Sequence, residues 1–289
     1  MDLSVWLLHH ETTIRSTFFF GVLLLIAIWE VISPRRRLLR SKSERWVNNL
    51  LLTFLNTLLL RLLFPAAAVG VAAFAELHGW GLFHHFHTPG WLATILAVII
   101  LDFAIYIQHI LFHAVPLLWR LHRVHHADPD YDVTTGARFH PLEIILSMLI
   151  KFATIVVIGA PVIAVVLFEI ILNAMAMFNH GNIKLPLTVD HWLRTLLVTP
   201  DMHRVHHSVE DDEANSNFGF NLSLWDRLCA TYRHQPRQGH EGMTIGIHRY
   251  HTPQMVTRLD GMLLLPLRGK VSEYAINRRH WSPKPEEER

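Results

Sequence analysis

Eight histidines fall into three motifs that only a fold joining distant segments can use: His-Ile-Leu-Phe-His at 109–113, and His-Arg-Val-His-His twice, at 122–126 and 203–207. Residues three and four apart share one face of a helix, so each motif, if helical, aims its imidazoles at one point: His109 and His113; His122, His125 and His126; His203, His206 and His207. Imidazole ligates iron, zinc, copper and nickel. Eight are too many for one ion and suit two ions with positions left open for oxygen or substrate. The chain holds 22 histidines, so some pairs arise by chance. His84, His85 and His87 are such a group, a cluster without the helical repeat.

Five apolar stretches run over 17–32, 50–75, 91–112, 144–158 and 162–178. A spanning helix needs about 20 mostly apolar residues, so the second and third qualify and the fourth is short. Gly159-Ala160-Pro161 joins the last two into a helical hairpin that either crosses fully or re-enters. Arg35, Arg36, Arg37, Arg40, Lys42 and Arg45 crowd the loop after the first stretch, whereas Glu76 to Gly90 carries no Lys or Arg. The first loop is therefore expected in the cytoplasm. Threading on places the amino terminus outside, and all three motifs with everything after Phe178 in the cytoplasm. The first stretch is expected to stay as an anchor, because Asp2 and Glu11 precede it with Arg15 as the one basic residue. The fold class predicted is all-α: an integral membrane bundle of four to five apolar helices under a cytoplasmic helical cap that carries a histidine-rich dimetal site.

Lys and Arg total 26 against 24 Asp and Glu, a balance that lends nucleic-acid binding no electrostatic support. The single cysteine, Cys229, excludes an internal disulfide and a CxxC metal site. Within the apolar stretches Asp102, Tyr106, His109 and His113 form one polar stripe, and Glu169, Asn173 and His180 another. Ionisable groups at membrane depth face the protein interior with a partner. The two stripes are expected to oppose each other. Arg61 is read equally as a partner of Glu169 or Asp102 and as a snorkelling cation, and Lys151 as snorkelling.

The motif order, with Phe139-His140-Pro141-Leu142-Glu143 after the second motif, Asn179-His180-Gly181 and Thr199-Pro200-Asp201 before the third, and Asn217-Phe218-Gly219 and Leu224-Trp225-Asp226-Arg227-Leu228 after it, resembles the fatty acid hydroxylase superfamily, also called the sterol desaturase family. The likeness covers about 95–232. It implies an integral membrane enzyme with two histidine-ligated iron ions that uses dioxygen and an external electron donor to hydroxylate or desaturate a lipid such as a fatty acyl, sterol or alkylglycerol substrate. Carried onto this chain, the metal ligands are His109, His113, His122, His125, His126, His203, His206 and His207, with His180 as a ninth. His140, Asp201, Asn217 and Asp226 are implied as supporting groups around the ligands, His140 also as a possible ligand. Some relatives carry HxxxxH first, and some a second HxxxH where this chain has His180 followed by Lys184. On this reading one domain covers 1–289, with anchor helices at 1–90, a catalytic core at 91–232, and a cytoplasmic cover and tail at 233–289 whose charged end, 284–289, is disordered.

No motif contains the Glu of HExxH, and Arg123-Val124 and Arg204-Val205 fill the spacers, which disfavours zinc hydrolysis. Asp128, Asp130, Asp201 and Asp226 are candidates to accept the second imidazole N–H, or to cap helices. Segment 261–267 reads as an interfacial cover or as core. With one cysteine and no room for a fused cytochrome, electrons are expected from a separate ferredoxin- or cytochrome-type donor, for which the loop 35–45 is a docking candidate. The expected location is a bacterial inner membrane, or the endoplasmic reticulum if the chain is eukaryotic. The alternatives are a metal-handling membrane protein, which would place its ligands near the bilayer midplane, and a pseudoenzyme that binds metal without redox chemistry.

Overall fold

Thirty residues of unbroken helix, α1 (Leu3–Ile32), open the computed structural model, which describes residues 3–248, 250 and 252–269. The apolar stretch 50–75 is not one helix. α2 (Lys42–Leu63) ends ahead of Pro65, which has no amide to donate and restricts the residue before it, and α3 (Ala67–Leu77) restarts with Ala67 at φ 51°. A short α4 (Leu82–His85) precedes α5 (Gly90–Ala114) and α6 (Pro116–His126). The hairpin follows as α7 (Pro141–Ile158) and α8 (Val162–Asn179). The cap is built from α9 (Leu187–Leu193), α10 (Pro200–His206), α11 (Asp211–Ala214), α12 (Leu224–Leu228) and helical turns at 239–242, 253–256 and 259–264. No strand occurs among the described residues, so the all-α expectation holds.

Among the described residues five segments are long and apolar enough to cross a membrane, and the chain is an integral membrane protein. α7 and α8 have 18 residues each, about 27 Å, close to the hydrocarbon thickness of about 30 Å. Gly159, at φ 69°, turns the hairpin, and a Cβ there would lie 2.5 Å from the Trp80 carbonyl oxygen. The loop after α3 therefore packs on the hairpin at the end of α7 remote from Glu143. His84 packs there too, which puts the 84–87 histidines at the opposite end from the motifs.

The basic first loop sits at the motif end. Arg36 N donates to Asn182 Oδ1 at 3.1 Å and Arg40 N to Asp130 Oδ2 at 2.7 Å. Its charge is largely absorbed inside the protein: Arg45 is fully buried and Arg35 lies 3.1 Å from Asp201. Of its five arginines, Arg37 and Arg40 are exposed.

The expected partnership of Arg61 is overturned. Glu169 Oε1 accepts from Lys151 Nζ at 2.7 Å and its other oxygen lies 3.1 Å from Arg15, while Asp102 Oδ2 accepts from Leu222 N at 3.2 Å and Trp225 Nε1 at 2.8 Å. Arg61 is exposed, as a snorkelling cation is, and Lys151 is the paired one. The two polar stripes come together at their histidine ends, where His109, His113 and His180 join the same gathering of imidazoles, while Asp102 and Tyr106 face cap residues that hydropathy gave no reason to place beside them. Segment 261–267 is core on one face, where Met262 and Leu265 pack with Leu52 and Val124, and Leu264 and Leu267 are exposed on the other. The tail 284–289 lies outside the described residues.

Candidate metal centre

A proline opens each helix that ends in His-Arg-Val-His-His. Pro116 stands at the start of α6 and Pro200 at the start of α10, where Thr199 caps the helix by accepting from Met202 N. Both motifs thus occupy last turns, at the level where α5 presents His109 and His113 and where His180 caps α8.

Nine imidazoles gather there in two groups. His109, His113, His122, His126 and His206 form one and His125, His180, His203 and His207 the other, each with one nitrogen per ring within 4.8 Å of the rest. All nine are buried. The two pentapeptides are used in opposite senses: 122 and 126 serve the first group and 125 the second, whereas 203 and 207 serve the second and 206 the first. Neighbouring rings on a helix point about 100° apart, so one helix end feeds both groups.

Four rings have a settled proton. A carbonyl oxygen only accepts, so Nδ1 donates from His109 to Phe218 (2.8 Å), from His206 to Ser216 (2.8 Å), from His180 to Ala176 (2.7 Å) and from His125 to Arg138 (3.3 Å). Their Nε2 atoms therefore point inward as lone pairs. Yet Nε2 of His109 stands 3.0 Å from that of His206, and Nε2 of His180 stands 3.1 Å from that of His125. One such repulsive pair occurs in each group. A cation relieves both, and two nitrogens about 2.1 Å from one ion and about 90° apart would be about 3.0 Å from each other. His203 adds to this, because neither ring nitrogen has a hydrogen-bond partner among the described residues. The Asn217 backbone acts on that ring electrostatically without bonding to it. The residues fit a pair of metal ions.

Burial pushes His122 and His180 down to about 3 and holds His125, His126, His203, His206 and His207 well below the ordinary imidazole value. These rings are neutral, as ligation requires. The unfolded chain binds protons that the folded one refuses, so stability is full above about pH 6.5 and lost as the pH falls below it. Chelator-treated protein in detergent is expected to melt at sharply lower temperature on going from about pH 7 to about pH 5.5; a flat profile would contradict neutral burial.

Glu143 is the carboxylate that reaches an imidazole: its Oε1 lies 2.6 Å from His122 Nδ1. The four aspartates proposed for that role go elsewhere. Asp128 bonds Arg45, Asp130 the amides of Leu39 and Arg40, Asp201 bonds Arg35 and Arg204, and Asp226 the amides of Phe218 and Gly219. Proximity in sequence does not survive the turn of chain between motif and acid. Asp226 and Asn217 act at one remove, for they hold the loop whose Ser216 and Phe218 carbonyls orient His206 and His109. Asn217, at φ 53°, donates to Met202 O at 2.8 Å and accepts from Arg233 N at 2.8 Å. His140 belongs to neither group; it caps α7, accepting from Leu142 N at 3.2 Å. Gly136 is held to small size, since a Cβ would lie 2.3 Å from the Ala176 oxygen that His180 uses. Glu143→Gln is expected to weaken metal binding about 10–100-fold, read by chelator competition, because the His122 ring loses the carboxyl group that holds its Nδ1. An unchanged affinity would leave Glu143 with no part in holding the ion.

The model of the fatty acid hydroxylase family matches residues 94–231. An ornithine lipid hydroxylase of Rhizobium tropici is 26% identical over 230 residues, covering 76% of this chain and 67% of its own length. Alkylglycerol monooxygenases of Xenopus tropicalis and Homo sapiens are 28% and 27% identical over 57% and 55% of this chain, which spans 35% and 34% of theirs. No solved structure matches the chain.

Proposed function

Since this chain belongs to the fatty acid hydroxylase superfamily through residues 94–231, we propose that it is a di-iron oxygenase that hydroxylates an unactivated C–H bond of a membrane lipid. The observation that carries this is the double imidazole cluster at one end of apolar helices. His109, His113, His122, His126 and His206 would hold one ion, and His125, His180, His203 and His207 the other. Two iron ions held there would supply the oxidising power by which dioxygen attacks such a bond, one oxygen entering the lipid and the other leaving as water, with two electrons from a separate ferredoxin- or cytochrome-type donor and two protons from solvent.

The chain's own residues orient and shield. Backbone carbonyls fix the tautomers of His109, His125, His180 and His206, so their lone pairs face the centre without rearrangement. Glu143 holds the His122 ring through Nδ1. Phe139 stacks on His125 at 4.5 Å between centroids, Phe218 meets His113 at 5.1 Å, and Trp119 meets the same ring at 5.0 Å. These rings exclude water, which would otherwise consume the oxidant. The lipid reaches the site from the bilayer. Six basic residues in the first loop at the same end support a cytoplasmic centre, in a bacterial inner membrane or the endoplasmic reticulum.

Hydroxylation is favoured over desaturation because the relatives that match are hydroxylases and monooxygenases by name. Lipid extracts from cells with and without the protein, compared by mass spectrometry under ¹⁸O-labelled dioxygen, test this. The expected result is a lipid heavier by one labelled oxygen. Loss of two hydrogens instead would make the chain a desaturase, and no lipid change in a metal-loaded protein with a working electron supply would favour metal handling or a pseudoenzyme.

A further inference from the structure

Short helices α9 and α12 carry too few residues to register as membrane segments, yet the hydrogen bonds of the chain around them fix their level along α5. Asn215 Oδ1 lies 3.3 Å from His113 Nδ1, the Phe218 carbonyl accepts from His109 at 2.8 Å, and Leu222 N and Trp225 Nε1 donate to Asp102 at 3.2 and 2.8 Å. Thr231 then meets Tyr106 at 2.8 Å on the way back. From His113 to Asp102 is about 16 Å of helix, so residues 215–225 run that distance down α5 toward the middle of the bundle before returning. α9 is tied to the lowest point, for Val198 N donates to Asn221 O at 2.9 Å and Ser223 N to Leu196 O at 3.0 Å.

Asp102 stands about 18 Å along α5 from Gly90, well inside a hydrocarbon layer of about 30 Å that begins near Trp91. The outward stripe of α5, Ile95, Ile99, Phe103, Ile107 and Leu111, is exposed at spacing four, and Trp225 continues it through a ring contact with Phe103 at 4.8 Å. Leu187, Val189, Trp192, Leu196, Leu224 and Leu228 are likewise exposed, Trp192 at 68% and Leu228 at 68%. Of the two arginines of this element, Arg194 is buried and pairs with Asp190, whereas Arg227 is exposed but stacks over Tyr232 at 4.0 Å and donates to the Arg194 carbonyl at 2.9 Å. Apolar side chains facing out, an exposed tryptophan, and arginines held by neighbouring groups are what an element resting in lipid requires.

We propose that α9, α12 and the loop 215–231 form a re-entrant element whose apolar face lies in the bilayer leaflet next to the metal centre, continuous with the lipid-facing side of α5. The whole segment after α8, on hydropathy a water-exposed cap, thus contributes a membrane surface. The same loop holds His109 and His206 through Phe218 and Ser216, so the lipid face and the imidazoles share one piece of backbone.

Nitroxide labels test the placement. Trp192→Cys and Leu228→Cys, each in a Cys229→Ser background, are reconstituted in phosphatidylcholine vesicles, with Gln238→Cys as the reference. All these side chains are exposed, so the core packing is untouched. Power saturation is expected to give labels at 192 and 228 a several-fold higher ratio of oxygen to nickel-chelate accessibility than the label at 238. A ratio at either position equal to that at 238 overturns the proposal, because the face is then in water. Low access to both reagents with dipolar broadening overturns it too, since a second copy of the chain then covers the face.

Discussion

Leucine at His203 is expected to abolish lipid hydroxylation and yet make the metal-free protein melt at a higher temperature than the unsubstituted chain. The ring is fully buried and neither nitrogen has a hydrogen-bond partner among the described residues. Leaving a buried polar group unsatisfied costs about 1–3 kcal/mol, and leucine of similar size removes that penalty along with the crowding of lone pairs around it. Metal reverses the order. Ions bound to the folded state alone add stability that grows with their excess over the dissociation constant, and a chain short of one ligand in the second cluster gains less of it. A histidine serving only to fill the core would behave differently, because its replacement would change melting equally with and without metal. His206→Ala is the companion variant from the first cluster, expected to lose activity and bound metal without any gain in stability, as the Ser216 carbonyl then loses its donor. Metal content per chain, melting with and without chelator, and the lipid mass shift decide the matter. Hydroxylation retained in both variants would remove the metal role from these clusters.

Eight ligand candidates were readable in the chain because imidazoles repeat at helical spacing, and spacing survives into structure wherever the helix does; the ninth, His180, came from the family resemblance alone. Their division between two ions was not readable. It depends on which way each last turn faces, and the two identical pentapeptides face opposite ways. The partners that orient the rings were hidden for a simpler reason: four of them are backbone carbonyls, which every residue has. Glu143 was in view as part of a family motif, but its distance in sequence from His122 concealed the contact, and four aspartates nearer to the motifs drew the inference instead. Membrane helices α1, α5, α7 and α8 followed from hydropathy, whereas the break at Pro65 was passed over inside an apolar run. Arg61 was expected to find an acid because burial was inferred from position along the helix alone; its helix turns it outward.

Arg45→Ala is expected to destabilise the protein by about 3–5 kcal/mol, the range for breaking a buried ion pair from one side. The guanidinium forks onto Asp128 at 2.6 and 2.9 Å and reaches Asp132 at 2.5 Å, with all three side chains fully buried. Thr135 and Asn49 also bond Asp128, at 2.9 and 3.3 Å. Without Arg45 the two carboxylates stay buried with Arg138, 3.9 Å from Asp128, as the nearest remaining cation to that acid. Together these contacts clamp the start of α2 to residues 128–138, the chain between the second histidine motif and α7. That segment ends in Arg138, whose carbonyl accepts from His125, so the loss of stability should carry into the second metal cluster. Arg45→Lys is expected to fall between, since a point charge cannot fork onto a carboxylate. Arg45→Met combined with Asp132→Asn is expected to recover much of the loss, because Asp128 then keeps Arg138 as its counter-ion and no uncompensated charge is left inside. Melting in detergent micelles and metal content would be measured for the series. If the single and double variants lose equal stability, the charges are not what matters there and the clamp reduces to packing; if Arg45→Ala melts like the unsubstituted chain, water reaches the two acids and the interior assigned to them is wrong.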